Sequence, residues 1–186
     1  MSHIAFFTTP LAGLLCVERH TLGDSRGFFS RFFCAEELRA VGFVKPVRQI
    51  NHTLTAVQGT IRGMHYQRKP HAEMKMVSCL RGQVFDVAVD IRKDSPTFLQ
   101  WHAEILSAEN HRSLLIPEGF AHGFQALTED CELIYLHTAD YAVSSEAAVH
   151  ALDPLLAIAW PLPAVGLSER DRMHPMINNT FEGVVL

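Results

Sequence analysis

The sequence predicts an all-β sandwich or barrel, and three observations carry that expectation. From position 47 onward, short runs rich in Val, Ile, Phe, Tyr and Thr recur along the chain. Gly, Pro, Asn and Asp punctuate them at roughly 8–12-residue spacing, the rhythm of consecutive strands. In the clearest run, Gln83–Ile91, side chains sort by parity: Phe85, Val87, Val89 and Ile91 on one face, Val84, Asp86, Ala88 and Asp90 on the other. The first set is a packing face. The second, two carboxylates among small apolar groups, fits either a polar outer surface or a barrel interior holding a polar ligand.

In order along the chain, Leu14–Glu18 reads as a short strand, Asp24–Gly27 as a turn, and Phe28–Phe33 as a strand or strand edge. Ala35–Val41 is the best helix candidate, with Gly42 as its expected C-cap. Strands follow over Val47–Leu54, Gly59–Tyr66, Lys75–Leu80, Gln83–Ile91, Gln100–Leu106, Ser113–Ile116, Gly123–Leu127 and Glu132–Thr138. Prolines cluster from Asp153 onward. The tail is expected to be irregular, with one or two short helices, and to pack on the barrel rather than form a second domain.

The 186 residues suffice for one domain with a sizeable core, spanning positions 1–186. A hydrophobic fraction of 48% argues against disorder. A net charge of −4 disfavours non-specific nucleic-acid binding, so an anionic ligand must be held by a local cluster of Arg and Lys. The four cysteines form no CxxC pair and read as reduced core thiols. The N-terminus lacks the basic start of a secretory leader, and no apolar run reaches membrane-span length. A cytoplasmic protein without membrane partners is expected.

Arg62 and His65 are three residues apart, which puts them on opposite faces of an ideal strand; Gly63 between them permits a bulge that would reverse this parity. His122 stands in Pro117–Gly123, read as a Pro/Gly turn. His71, Glu73 and Lys75 recur at spacing two, with Glu73 readable as a functional group or as a solvated partner of Lys75. Tyr135, in an apolar run, is either a hydrogen-bonded core tyrosine or an acid facing a cavity. Nothing local marks Asp171. Eleven histidines invite a metal reading, with His65, His122 and a carboxylate as its candidate ligands. No His-x-His pair, phosphate loop, GxSxG elbow or HExxH is present, and no metal or cofactor is expected.

Several segments together resemble the dTDP-4-dehydrorhamnose 3,5-epimerase family of the cupin superfamily. They are Asp24–Phe29, Gln49–His52, Arg62–Gln67, Gly82–Arg92, Ser95–Phe98, Leu106–Asn110 and Ile116–Phe124, in the family's order and spacing. The resemblance implies a cupin-type jelly-roll (double-stranded β-helix) barrel with a few short peripheral helices, assembled as a homodimer. It implies metal-free epimerisation at C3 and/or C5 of a nucleotide-linked 4-keto-6-deoxyhexose, with dTDP the expected nucleotide, in deoxysugar biosynthesis. By position, His65 matches the catalytic base, Asp171 the carboxylate that orients it, Tyr135 the acid on the opposite side of the sugar, and Lys75 the cation near the ketone. Arg26, Phe29, Gln49, Asn51 and Arg62 match substrate-binding positions, as do His122 and Tyr141. Departures fall at Glu73, where the family has an amide, at Met74, where a glycine is usual and a bulkier group is expected to crowd the sugar, at Arg31, which reverses a charge, and at Leu136, which replaces a lysine. The alternatives are a metal-dependent cupin oxygenase and a sugar-nucleotide-binding cupin without turnover.

Overall fold

A computed structural model describes residues 3–186. Thirteen strands and two short helices are found among them: β1 (Ile4–Thr8), β2 (Leu15–Arg19), β3 (Thr21–Asp24), β4 (Gly27–Ser30), α1 (Ala35–Arg39), β5 (Gln49–Thr55), β6 (Ile61–Gln67), β7 (Lys75–Arg81), β8 (Gln83–Asp90), β9 (Trp101–Ser107), β10 (Arg112–Ile116), β11 (Phe120–Ala126), β12 (Cys131–His137), β13 (Glu146–Ala148) and α2 (Glu169–Arg172). A six-stranded sheet, β1-β2-β10-β7-β12-β5, faces a five-stranded sheet, β13-β6-β11-β8-β9, and β3 pairs with β4 in a separate hairpin. All paired strands are antiparallel, which short turns permit.

Three apolar layers hold the sheets. Between them, Val77, Leu114, Ile116 and Leu133 meet Val84, Ala88, Phe120 and Phe124. The outer face of the five-stranded sheet carries Val87, Val89 and Ile91, and the C-terminal tail covers it with Leu156, Leu167, Ile177 and Trp160. The outer face of the six-stranded sheet carries Val17, Met76, Leu115 and Leu136, under Leu38 of α1 and Phe43. Each fully buried aliphatic or aromatic side chain contributes roughly 1.5–3 kcal/mol relative to exposure, so the tail is part of the fold's stability. The four cysteines are free thiols; burial pushes Cys16 up to about 11 and Cys79 to about 12.

The polar face of β8 is the barrel interior. Asp86 is fully buried between Val84 and Ala88, both in the inner layer. Asp90, at the strand's end, is a structural carboxylate: it accepts from Ser95 Oγ at 2.5 Å, Thr97 Oγ1 at 2.6 Å and Arg92 Nη2 at 2.7 Å. Burial alone would raise its pKa, and these donors lower it instead.

Several boundaries differ from the sequence reading. β1, β3 and β13 were not anticipated; β4 ends at Ser30, and the Asp24–Gly27 turn closes the β3–β4 hairpin. The helix is capped at Ala40 rather than Gly42, and Gly42 instead turns the chain beyond it with φ +92°. His122 belongs to β11, not to a turn, because β11 begins at Phe120 and pairs in register with β8.

The interior is not uniformly apolar. Inward residues on β7 run Lys75, Val77, Cys79, and those on β12 run His137, Tyr135, Leu133, with Lys75 opposite His137 and Cys79 opposite Leu133. One end of the barrel is thus filled by aliphatic groups, and the other is left to polar side chains.

Candidate active site

At the polar end lies a cavity of about 280 Å³, lined by side chains from both sheets. β5 supplies Gln49, Asn51 and Thr53, and β6 supplies Arg62, His65, Tyr66 and Gln67. Lys75 comes from β7, His122 and Phe124 from β11, and Tyr135 and His137 from β12. Glu73, Tyr141 and Glu146 complete the rim and floor.

Arg62 and His65 reach one cavity because β6 carries a register shift. His122 pairs with His65, but Phe124 pairs with Arg62, so two residues of β11 span three of β6. Gly63 makes this possible. Its φ is +140°, and a Cβ there would lie 2.5 Å from Gly123 Cα. A Cβ on Gly123 would in turn meet Met64 Sδ at 2.6 Å and the Arg62 carbonyl at 2.7 Å. Only two glycines allow the strands this approach.

His65 is the cavity's candidate base. Its Nε2 is 2.8 Å from Asp171 Oδ1, across 106 residues of sequence. Asp171 is set on α2, where Ser168 Oγ caps the helix by accepting from the Asp171 N–H at 3.0 Å. Burial would raise the Asp171 pKa, but hydrogen bonds from His65 and Ser168, with the field of His65, hold it below the usual carboxylate range. An ionised Asp171 fixes the His65 proton on Nε2 and leaves the Nδ1 lone pair as the basic site. His174 Nε2 also contacts Asp171 Oδ1, at 3.2 Å, and its ring stands at 84° to that of His65.

Tyr135 is both of the things its sequence context allowed. Its ring packs on the inner apolar layer, and it also faces the cavity between His122 (6.2 Å, edge-on) and His137 (6.0 Å, stacked). Burial raises its pKa, so the phenol stays protonated and available as a donor. His122 Nε2–H donates to Asp86 Oδ1, 2.9 Å away; burial lowers its pKa despite Asp86.

Lys75 and Glu73 are buried together. Lys75 Nζ is 3.6 Å from Glu73 Oε1, and Glu73 Oε2 is 2.9 Å from His137 Nδ1 and 3.3 Å from Gln67 Nε2. Burial would raise the Glu73 pKa; the His137 hydrogen bond and Lys75 outweigh it and lower it. Glu73 is therefore not a solvated partner of Lys75 but an interior carboxylate. Its spacing of two from Lys75 was the available signal; His137 and His174 carried none.

Other departures also resolve. Met74 packs on the outer layer beside the six-stranded sheet, not in the cavity, because it alternates with Glu73 and Lys75. It does not crowd the cavity as expected. Leu136 is buried in the same outer layer, and Arg31 pairs with Glu37 of α1 at 2.7 Å. Tyr141 sits at the rim, its hydroxyl donating to Glu146 Oε2 at 2.8 Å.

Arg26 and Phe29 lie apart from this cavity. Both are on the β3–β4 hairpin, lining a shallow surface depression with Leu22 and Phe28. Arg26 is paired with Asp24, and Phe28 and Phe29 are 61% and 64% exposed.

Comparison with known proteins matches this arrangement to one family. The family model described as dTDP-4-dehydrorhamnose 3,5-epimerase covers residues 8–179. The dTDP-4-dehydrorhamnose 3,5-epimerase of Salmonella typhimurium is 44% identical over 179 residues, covering 93% of this chain and 95% of that protein. The dTDP-6-deoxy-D-glucose-3,5-epimerase of Legionella pneumophila, solved in complex with dTDP-4-keto-L-rhamnose, superimposes with TM-score 0.89 at 43% identity, covering 94% of this chain and 93% of that one. A 3'-monoepimerase from Streptomyces bikiniensis, solved with dTDP-quinovose, superimposes with TM-score 0.84 at 35% identity, covering 90% and 85%. With the fold, the cavity and these matches in agreement, the chain belongs to the dTDP-4-dehydrorhamnose 3,5-epimerase family.

Proposed function

We propose that this chain epimerises a dTDP-linked 4-keto-6-deoxyhexose at C3 and C5. One observation carries the reading: a histidine backed by a buried carboxylate, a protonated phenol and a lysine line the same cavity. A 4-keto group acidifies the hydrogens on both neighbouring carbons. His65, through Nδ1, removes one of them, and Asp171 stabilises the imidazolium that forms. Lys75 stabilises the enolate oxygen, which carries the developing charge. Tyr135 returns a proton to the other face, and the carbon is inverted. The same set acts at the second carbon after the sugar rotates. Met74, turned away from the cavity, leaves room for that rotation.

The cavity volume, about 280 Å³, suits a hexose and not a whole sugar nucleotide. The nucleotide then lies across the mouth, where Gln49, Asn51 and Arg62 stand on the lining strands. Arg26 and Phe29 join it from a second copy. The exposed Leu22, Phe28 and Phe29 are an apolar surface with no cover in one chain, and pairing two chains through the β3–β4 hairpin covers it. The working form is thus a homodimer whose single-domain chains complete each other's nucleotide sites. No helix among the described residues is long and apolar enough to cross a membrane, in keeping with a cytoplasmic enzyme of sugar-nucleotide metabolism.

Incubation with dTDP-4-keto-6-deoxyglucose should yield a product inverted at C3 and C5 by NMR; unchanged substrate, with a known epimerase active in parallel, would refute the reading. Light scattering at micromolar concentration should give the mass of two chains. A monomer would leave Arg26 and Phe29 without a role at the site.

A further inference from the structure

Among the described residues, one group of side chains is arranged as metal ligands, and it coincides with the base. His65, Asp171 and His174 each present one ligand atom, all within 4.8 Å of one another. Both imidazoles use Nε2, and both aim it at the same oxygen, Asp171 Oδ1, at 2.8 and 3.2 Å. The set is largely buried: side-chain exposures are 34%, 6% and 14%. We propose that these three residues form an inhibitory site for zinc-class divalent cations, which switches the epimerase off by taking the base's proton-bearing nitrogen.

The geometry is close to what such an ion needs. Two imidazoles and a carboxylate are ligands that zinc accepts, with a fourth position left open. A tetrahedral ion at roughly 2.1 Å from each ligand holds them roughly 3.4 Å apart. Against that spacing the His65–Asp171 contact at 2.8 Å opens by about half an ångström, the His174–Asp171 contact at 3.2 Å is already close, and the two imidazole nitrogens, within 4.8 Å, close on each other by side-chain rotation. His174 lines a surface depression with Arg68, Ala147, Ala148, Pro175, Glu146 and Arg170, which adjoins the sugar cavity through Glu146 and gives the ion a second approach. Glu146 there offsets part of the repulsion from the two arginines.

The consequence follows from the tautomer. As a base, His65 keeps its proton on Nε2, toward Asp171, and offers the Nδ1 lone pair to the sugar. A metal needs the Nε2 lone pair. The neutral ring bound to it must carry its proton on Nδ1, which can no longer accept one. Zinc thus abolishes the base while leaving the sugar cavity open. Inhibition should lower kcat and leave KM nearly unchanged. Magnesium, a hard cation that prefers oxygen, should not substitute.

The test is direct binding followed by kinetics on the full-length protein. Zinc is titrated against a chromogenic chelator competitor, and cobalt is added as a visible-absorption probe. One ion per chain is expected, with the d–d bands of a low-coordinate nitrogen and oxygen site. His174→Asn should weaken zinc binding at least ~100-fold, at or above what losing an outer partner of a ligand costs. Circular dichroism checks that this variant is folded; if it is not, the cobalt spectrum of the unsubstituted protein decides alone. Binding that is unchanged in a folded His174→Asn, an octahedral all-oxygen cobalt spectrum, or full turnover with zinc bound at one equivalent would each overturn the proposal. The inhibitory half rests on the epimerase reading; the binding half is read without substrate, so failure of that reading leaves the metal site standing, and failure of binding leaves that reading intact.

Discussion

Replacing His65 with Asn should leave the fold intact and remove at least ~100-fold of turnover, the usual scale for losing a general base and worth about 2.7 kcal/mol of transition-state stabilisation. The loss should fall on kcat, since the proposed nucleotide contacts, Gln49, Asn51 and Arg62, are other residues of the lining. Asn keeps a polar side chain near Asp171, so the carboxylate is not stranded without a partner. Asp171→Asn should also impair turnover, by disturbing the tautomer of His65 and withdrawing the charge that stabilises its imidazolium. Initial rates with dTDP-4-keto-6-deoxyglucose measure both. Near-wild-type activity in His65→Asn removes this residue from its assigned role, whatever becomes of the family assignment.

Tyr135→Phe separates the two halves of the reaction. His65 still removes a proton in this variant, but the phenol that should deliver one to the opposite face is gone. Exchange of substrate hydrogen with solvent should persist while net inversion falls by at least ~100-fold, most at the carbon that depends on the phenol. The ring itself remains, packed between His122 and His137 and on the inner apolar layer, so the fold should lose little. Loss of exchange and inversion in parallel would mean that Tyr135 serves deprotonation as well, or that it only shapes the cavity.

How far the sequence carried these assignments depended on whether the determining contact was local. The alternation of β8 was legible because it repeats every second residue, and the structure decided between its two readings by placing Asp86 inside the barrel. The bulge that brings Arg62 and His65 together was foreshadowed by Gly63, but its partner, Gly123, lies on another strand. The pairing of His65 with Asp171 spans 106 residues, and nothing around Asp171 announces it; only the family resemblance pointed there. His174 joins the same carboxylate one turn further along and was missed for the same reason. The two readings of Glu73 stayed open in the sequence because its burial depends on β12 closing over it through His137. The β3–β4 hairpin is surface in one chain, with Leu22, Phe28 and Phe29 exposed, and the role proposed for Arg26 and Phe29 rests on a second copy that a single sequence cannot display.

The most direct test of the central claim is NMR of the product formed by the unsubstituted enzyme in deuterated water. A base that takes a carbon-bound proton and an acid that draws on solvent must leave deuterium where inversion has occurred. The account predicts deuterium at both C3 and C5 of the sugar, with both centres inverted. Deuterium at one carbon alone would contradict the two-carbon reaction and place this chain with single-carbon epimerases. Absence of deuterium at both, with a known epimerase active in the same buffer, would contradict proton abstraction by His65 altogether.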